Sequence, residues 1–471
     1  MPLLLVFLAL TLPAAAETVE IIRDPYGTPH IFAATPAGAA FGAGFAQAED
    51  RIDALLRNLK NAGSDDVDAL SPAMRAMLAG YAEGVNRFRP DAGVTAGQVA
   101  AFGRQALTRV RGASLFLDRT RSASGSVIAV LETHANWSAD DRPYEMSLYI
   151  RDGDVAVAGV APLGVPFPVT GHSRTVAVAW GSSGSLEQAW AMITARDVEG
   201  LREAVGDRIP RDLLAGDASG HLLSADATRG YAMQSGRSEQ ASAAIHKLLA
   251  EQTTWPVGRL DDIAFSGEVY KAETWQARLA RVDPGNPFTR MLTGWNRRAA
   301  VDSRPALGFY LFKMELGRDA AALEPPDSLS DGRIIAALGR AKDRLETGLE
   351  FAANFGTLFR IAREGSRESY PVGGGTAAEA GMETPRTLLF EKRGAVNIAS
   401  SGQAAVRIVD LANPLLSAVS VLMPGVTDEA GSAHFDDQAR TLFSKAQTKP
   451  AYFGNRRDLE RQAASKKQLI F

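Results

Sequence analysis

An α+β fold with a central sheet is the class that this 471-residue sequence predicts. Three observations carry the prediction. Residues 36–88 read as helices rich in alanine and glycine. From Ser114 the texture changes to short β-branched or alternating runs bounded by turns. Helical segments then return through residues 195–345, and two further strand-like runs precede a closing helix.

The first element is "VEIIRDPYGTPHIFAAT" (19–35), two strands around a Pro-Tyr-Gly-Thr-Pro turn whose residues preset φ or allow it to be positive. A helix follows from Pro36 to Leu59, and a second, "SPAMRAMLAGYAEGVNRF" (71–88), opens with a Ser-Pro N-cap and N1 pair. "SLFL", "SVIAVLE", "YEMSLYIRDGDVAVAGVAPLG" and "RTVAVAWGS" read as strands. "ARDVEGLREAV" and "SEQASAAIHKLLAE" read as helices, as do 271–300, 304–323 and 330–345. "QAAVRIVDL" and "LSAVSVLMPG" are strands, and "HFDDQARTLFSKA" is the closing helix. The glycine-rich "YPVGGGTAAEAG" (370–381) reads as a connector, and no internal repeat is visible. "KPAYFGNRRDLERQAASKKQ" reads as a solvated helical surface, because acids are interspersed among its basic residues.

Bulk composition narrows the function classes. Hydrophobic content of 46% with 22% charged residues is ordinary for a globular protein. A formal net charge of −3 gives no reason to expect nucleic acid or an anionic membrane as partner. Cysteine is absent, which excludes disulfides, thiolate-bound zinc, iron–sulfur clusters and thiol catalysis. Residues 1–16, "MPLLLVFLALTLPAAA", read as a secretory signal: the apolar run is too short to span a bilayer and ends on three alanines. The mature chain is then 17–471, with no later segment apolar enough to span, and a bacterial periplasm is the expected compartment.

Most familiar chemistries find no support. None of the six histidines pairs with another at the spacing of a zinc helix, so no metal or cofactor is expected. "WGSSGS" (180–185) is not a nucleophile elbow, since its second glycine falls one place too early. "GAGFA" (42–46) lacks the third glycine of a dinucleotide fingerprint and reads as close helix packing. What remains is a serine without an evident histidine base. A serine freed by cleavage of the preceding peptide bond could use its own α-amine as general base. Ser114 admits that reading, and equally that of a strand serine bonded to neighbouring backbone.

Taken together, the motifs carry a resemblance. "IIRDPYGTPHIFAAT", "GAGFAQAEDR", "LAGYAEGVNRF", "RSASG", "THANW", "GHSRTVAVAWGSSG", "GDASGHLL", "WNRRA" and the C-terminal "GQAAVRIVDL…SVLMPG…HFDDQARTLF" occur in one order. The chain resembles the penicillin acylase (penicillin amidase) family of N-terminal-nucleophile hydrolases across nearly its whole mature length. The resemblance implies a four-layer αββα fold and a precursor cut into two parts, 17–113 and 114–471. It also implies hydrolysis of the linear amide of an N-acyl small molecule.

Residue by residue, the resemblance places the nucleophile at Gly112 if no gap is allowed, and at Ser114 with a two-residue contraction, which preserves the face of the strand. It places Gly184 where a backbone N–H would stabilise the oxyanion. Asp212 falls where an asparagine would supply the second donor, a task an ionised carboxylate cannot perform. His134 matches a histidine near the nucleophile, and Trp137, Trp180 and Phe116 are candidates for an apolar acyl pocket. Glu187 is the only acid left where calcium ligands would stand, so the resemblance implies no calcium. Two functions follow: an amide hydrolase working through Ser114, or a secreted binding protein that keeps the fold without the chemistry.

Overall fold

The computed structural model describes residues 16–181, 184–206, 209–225, 230–317, 328–348, 353–366, 368–412 and 416–471. The expected signal, apart from Ala16, and Ser182 and Ser183 of "WGSSGS" lie outside the described residues.

The first hairpin forms as its turn residues require. β1 (Thr18–Arg23) and β2 (Pro29–Ala33) pair antiparallel, and Gly27 between them takes φ +78°. Glu17 precedes them, its carboxylate accepting from the N–H groups of Ala34 and Thr35 and from the Thr35 hydroxyl at 2.6–3.1 Å. Thr35 in turn caps helix α1 (Pro36–Asn61) by accepting from Gly38 N–H. Helix α2 (Pro72–Phe88) starts on Ser71, as the Ser-Pro pair predicts. The two helices meet backbone to backbone. A Cβ on Gly44 would stand 2.2 Å from the Tyr81 carbonyl, and one on Gly84 would stand 2.0 Å from that of Phe41. "GAGFA" is therefore a packing motif.

Two sheets organise the rest. The first joins β1 and β2 to β6 (Pro143–Ile150), β7 (Val155–Pro162), β8 (Thr170–His172), β9 (Val176–Ala179), β10 (Leu214–Asp217), β11 (Leu222–Leu223) and β19 (Ser465–Ile470). Its order is β11-β10-β9-β8-β7-β6-β2-β1-β19. The second runs β12-β4-β5-β16-β13-β14. These are Tyr231–Met233, Leu115–Leu117, Ile128–Asn136, Val396–Asp410, Phe359–Ile361 and Tyr370–Pro371. β3 (Arg111–Gly112), β15 (Leu388–Arg393) and β17 (Ser417–Leu422) pair onto β5 or β16, and β18 (Lys449–Pro450) onto β17.

Alternation along β4 and β5 shows how the sheets stack. Phe116, Ala129 and Leu131 pack with Ala177, Ala179 and Leu214 of the first sheet. Their neighbours Leu115, Leu117, Ile128 and Val130 turn to the other face, against Ile245, Leu249, Trp255 and Phe443. The outer face of the first sheet carries α1, α2 and α3 (Ala96–Leu107) through one continuous apolar cluster. Helices from Ala272 to Asp343 form a further core beside the second sheet. Helix, sheet, sheet, helix is the four-layer αββα arrangement the resemblance implies.

One expectation needs correction. Only Arg456–Gln462 of the basic C-terminal stretch is helical, whereas Ser465–Ile470 is strand β19 along β1. Backbone pairing with an otherwise open sheet edge overrides the local pattern there. Lys466 bonds Glu20 at 2.7 Å and Lys467 bonds Glu49, so the lysines fit an edge strand.

Candidate functional site

Gly112 ends β3, and Ala113 and Ser114 link it to β4 alongside β5. Gly112 pairs with Thr133, and Ala113 N–H donates to the Glu132 carbonyl at 3.2 Å. Ser114 is fully buried. Its hydroxyl accepts from Glu132 N–H at 3.0 Å and donates to the Glu132 carbonyl at 3.4 Å. Both directions of hydrogen bonding are thus occupied by the neighbouring strand.

Gln234, just after β12, fastens this segment. Its Oε1 accepts from Ser114 N–H at 3.1 Å, and its Nε2 donates to the carbonyls of Trp180 at 3.1 Å and Asp212 at 2.7 Å. One buried carboxamide therefore joins the serine segment to the residue after β9 and to Asp212, two residues ahead of β10. A Cβ on Gly112 would lie 2.6 Å from Gln234 Oε1 and 2.4 Å from the Glu132 carbonyl. No side chain fits at position 112 without displacing backbone.

Behind the segment lies a buried charged cluster. Glu132 receives Arg237 Nη2 at 2.5 Å on Oε2 and His134 Nε2 at 2.6 Å on Oε1. Arg237 also donates to the Ala113 and Pro385 carbonyls. Burial works against the Glu132 charge, but the Arg237 guanidinium and the His134 hydrogen bond outweigh it and hold the carboxyl below its usual range. Glu132 and His134 stand two apart on β5 and so share a face. The imidazole borders a cavity of about 580 Å³. Phe102, Val160, Val169 and Leu389 form apolar parts of its wall, and Arg109 and Arg111 are its cations.

This layout can be set beside known proteins. The penicillin amidase family model matches residues 18–59, 98–199 and 223–458, which is most of the chain. The chain belongs to the penicillin amidase family. Among solved structures it is similar to the thermostable penicillin G acylase from Alcaligenes faecalis, at 12% identity. That match covers 76% of this chain and 99% of that one, with a TM-score of 0.48. No curated protein matches the sequence.

The residues that the penicillin amidase resemblance singles out are only partly gathered. Ser114 and Asp212 are tied through Gln234, and Ser114 reaches His134 through Glu132. Asp212 Oδ1 accepts the Ser235 hydroxyl at 2.6 Å. Gly184 is exposed, with φ +134°, directly before the Ser185 cap of helix α4 (Leu186–Ile193). His134 alone of these four borders the cavity. Phe116 lies between the sheets, Trp180 under the first sheet and Trp137 against Phe443, so none of the three lines the cavity. Glu187 accepts from Ser71 N–H at 2.7 Å, and no metal-binding cluster occurs among the described residues.

Sequence reasoning passed over Glu132, Gln234 and Arg237. Glu132 was legible, because a carboxylate two residues before a histidine on a strand shares its face. Gln234 and Arg237 reach the site from more than a hundred residues away and carry no local signal.

Proposed function

We propose that this penicillin amidase family member binds a linear N-acyl amide in the cavity beside His134, and that it does not hydrolyse it through an N-terminal serine. The observation carrying this reading is position 112, where glycine has no nucleophile and where neither Glu132 nor Gln234 leaves room for one. Ser114 supports it, since a fully buried hydroxyl bonded both ways to β5 is ill placed to meet a substrate. Asp212 supports it too, since an ionised carboxylate would repel a developing oxyanion. Export to a bacterial periplasm, argued from the apolar leader and the absence of cysteine, belongs to the same proposal. The intact mass of the mature secreted protein tests it. One unbroken chain beginning near Glu17 is expected, and a second chain starting at Ser114 would overturn it.

A second reading, amide hydrolysis through Ser114, is favoured by one contact. Arg237 Nη1 donates to the Ala113 carbonyl, the bond that self-cleavage would break, and would polarise it. On that reading Ser114→Ala abolishes both the cut and any amide hydrolysis. On the first, it changes neither.

A further inference from the structure

We infer that Arg51, Arg142 and Arg363 form a binding site for a small tetrahedral oxyanion such as phosphate or sulfate, and that the Asp428 carboxylate holds the place of that anion. The site is separate from the cavity beside His134, which none of the four residues lines.

Charge balance is the first ground. Arg51 comes from α1, Arg142 directly precedes β6 and Arg363 follows β13 by two residues, and all three are buried. Arg142 Nη2 and Arg363 Nη2 both donate to Asp428 Oδ1, and Arg51 Nε stands 3.7 Å from Oδ2. Among the described residues no other carboxylate lies within ion-pair distance of these guanidiniums. Three buried positive charges thus share one negative charge, an imbalance that is costly away from water. Burial, with Arg142 beside it, pushes Arg51 down to about 9, and the same two causes push Arg363 down to about 10. A second negative charge is what the cluster lacks, and a tetrahedral dianion in place of the carboxylate supplies it.

Unused donors are the second ground. A separation of 3.7 Å is too long for a hydrogen bond, so Arg51 Nε is a buried N–H with no hydrogen-bond partner among the described residues, as is Arg142 Nε. The Arg142 guanidinium donates to Asp428 alone among the described residues. Neutral carbonyls fix the other two guanidiniums whichever way Asp428 turns. Arg51 Nη1 donates to those of Arg142 at 3.0 Å and Pro143 at 3.2 Å, and Arg363 Nη1 to that of Thr427 at 2.7 Å and to that of Phe435. A carboxylate offers two oxygens in one plane, and Oδ2 accepts no hydrogen bond here among the described residues. A tetrahedral oxyanion directs oxygens towards all three arginines at once.

Exposure supplies the third. The three arginine side chains are 1%, 3% and 5% exposed, whereas that of Asp428 is 26% exposed. Asp428 lies in the loop after β17, and Glu429, Ala430 and Gly431 beyond it are exposed. Solvent therefore meets the cluster at the carboxylate, and an arriving anion takes its place as the side chain turns outward.

Titration calorimetry of sodium phosphate and sodium sulfate into the full chain and into Asp428→Asn, against chloride and acetate at matched ionic strength, tests the inference. Asp428→Asn should bind phosphate or sulfate about tenfold more tightly than the unaltered protein does, because the competing carboxylate is gone; the tighter of the two names the anion. Arg142→Gln added to Asp428→Asn should weaken that binding about tenfold, and it strips no carbonyl of its donor. Absence of phosphate and sulfate binding to Asp428→Asn, or binding that Arg142→Gln leaves intact, overturns the site. Acetate binding as tightly overturns the tetrahedral assignment. Urea unfolding of the unaltered protein gives a reading that does not depend on Asp428→Asn folding. Phosphate or sulfate should raise its midpoint above that in chloride by more than they raise the midpoint of Arg142→Gln, which carries only the general salt effect. Equal rises in the two proteins overturn the site.

Discussion

Gly112 and Gln234 fix the packing around Ser114, and both are open to single substitutions. Gly112→Ser restores a hydroxyl at the ungapped nucleophile position but drives its Cβ to 2.4 Å from the Glu132 carbonyl. Overpacking of that kind costs about 1–3 kcal/mol. The variant should therefore unfold at lower urea and still run as one chain on a denaturing gel. Gln234→Ala removes the acceptor of Ser114 N–H and leaves a buried donor unpaired, at about 1–3 kcal/mol. A fall in the urea midpoint of Gln234→Ala at unchanged slope is expected, and an unchanged midpoint would count against the clamp. The sequence made Gly112, Ser114 and Asp212 legible as a conflict, because glycine and carboxylate lack the chemistry the family order asks of them. It could not show Gln234 joining Ser114 to Asp212, since the Ser114 contact spans 120 residues.

At the scale of elements, a buried ionic chain ties the two sheets together. Lys449 on β18 bonds Asp24 of the β1–β2 turn at 3.2 Å and Glu145 of β6 at 3.1 Å, and Glu145 also takes Arg407 of β16 at 2.8 Å. All four side chains are nearly inaccessible. Lys449→Met leaves two buried carboxylates short of a counter-charge and should destabilise by about 3–5 kcal/mol, read from chemical unfolding. A single missing partner in a buried pair costs far more than an exposed pair gains. Smaller effects belong to caps. Thr95 and Gln98 form a reciprocal capping box at the start of α3, so Thr95→Ala should cost about 1 kcal/mol. That helix went unread although its Thr-x-x-Gln start was in plain view, whereas β19 was misread because its strand state depends on a partner at the far end of the chain.

For the whole molecule the strongest expectation concerns acid. Burial, with Arg407 nearby, pushes His172 down to about 3. Burial also takes His30, both of whose ring nitrogens find no hydrogen-bond partner among the described residues, down to about 4. Below about pH 6.5 an unfolded chain would protonate both imidazoles while the folded protein would not. Their contribution is whole above that pH and drains as pH falls towards 4 and then 3, by up to about 2.7 kcal/mol per pH unit for the pair. Glu145 acts in the same direction at lower pH. Burial alone would raise its carboxyl, but Lys449 and Arg407 hold it at about 2, so its share is lost below about 4.5. His434 runs the other way. Asp437 raises it, so its smaller contribution is present at acid pH and fades as pH rises. Urea unfolding between pH 7 and 5 should show a steep loss of stability, and His172→Phe should flatten the curve. A level profile would mean that the two imidazoles take up protons inside the fold.

The αββα order was readable from the sequence because alternation and helical texture are local properties, while the way the first sheet closes is not. β1 pairs with β19 so that Thr18 faces Ile470. A ribosome therefore delivers one side of that ladder about 450 residues before the other. Until β19 arrives β1 has an open edge, so this side of the sheet stays unpaired while the intervening residues are made. Loss of Ser465–Phe471 would strip β19 from β1 and expose Val19, Ile21 and Ile22 backbone to pairing with another chain, a route to aggregation rather than to a smaller folded protein.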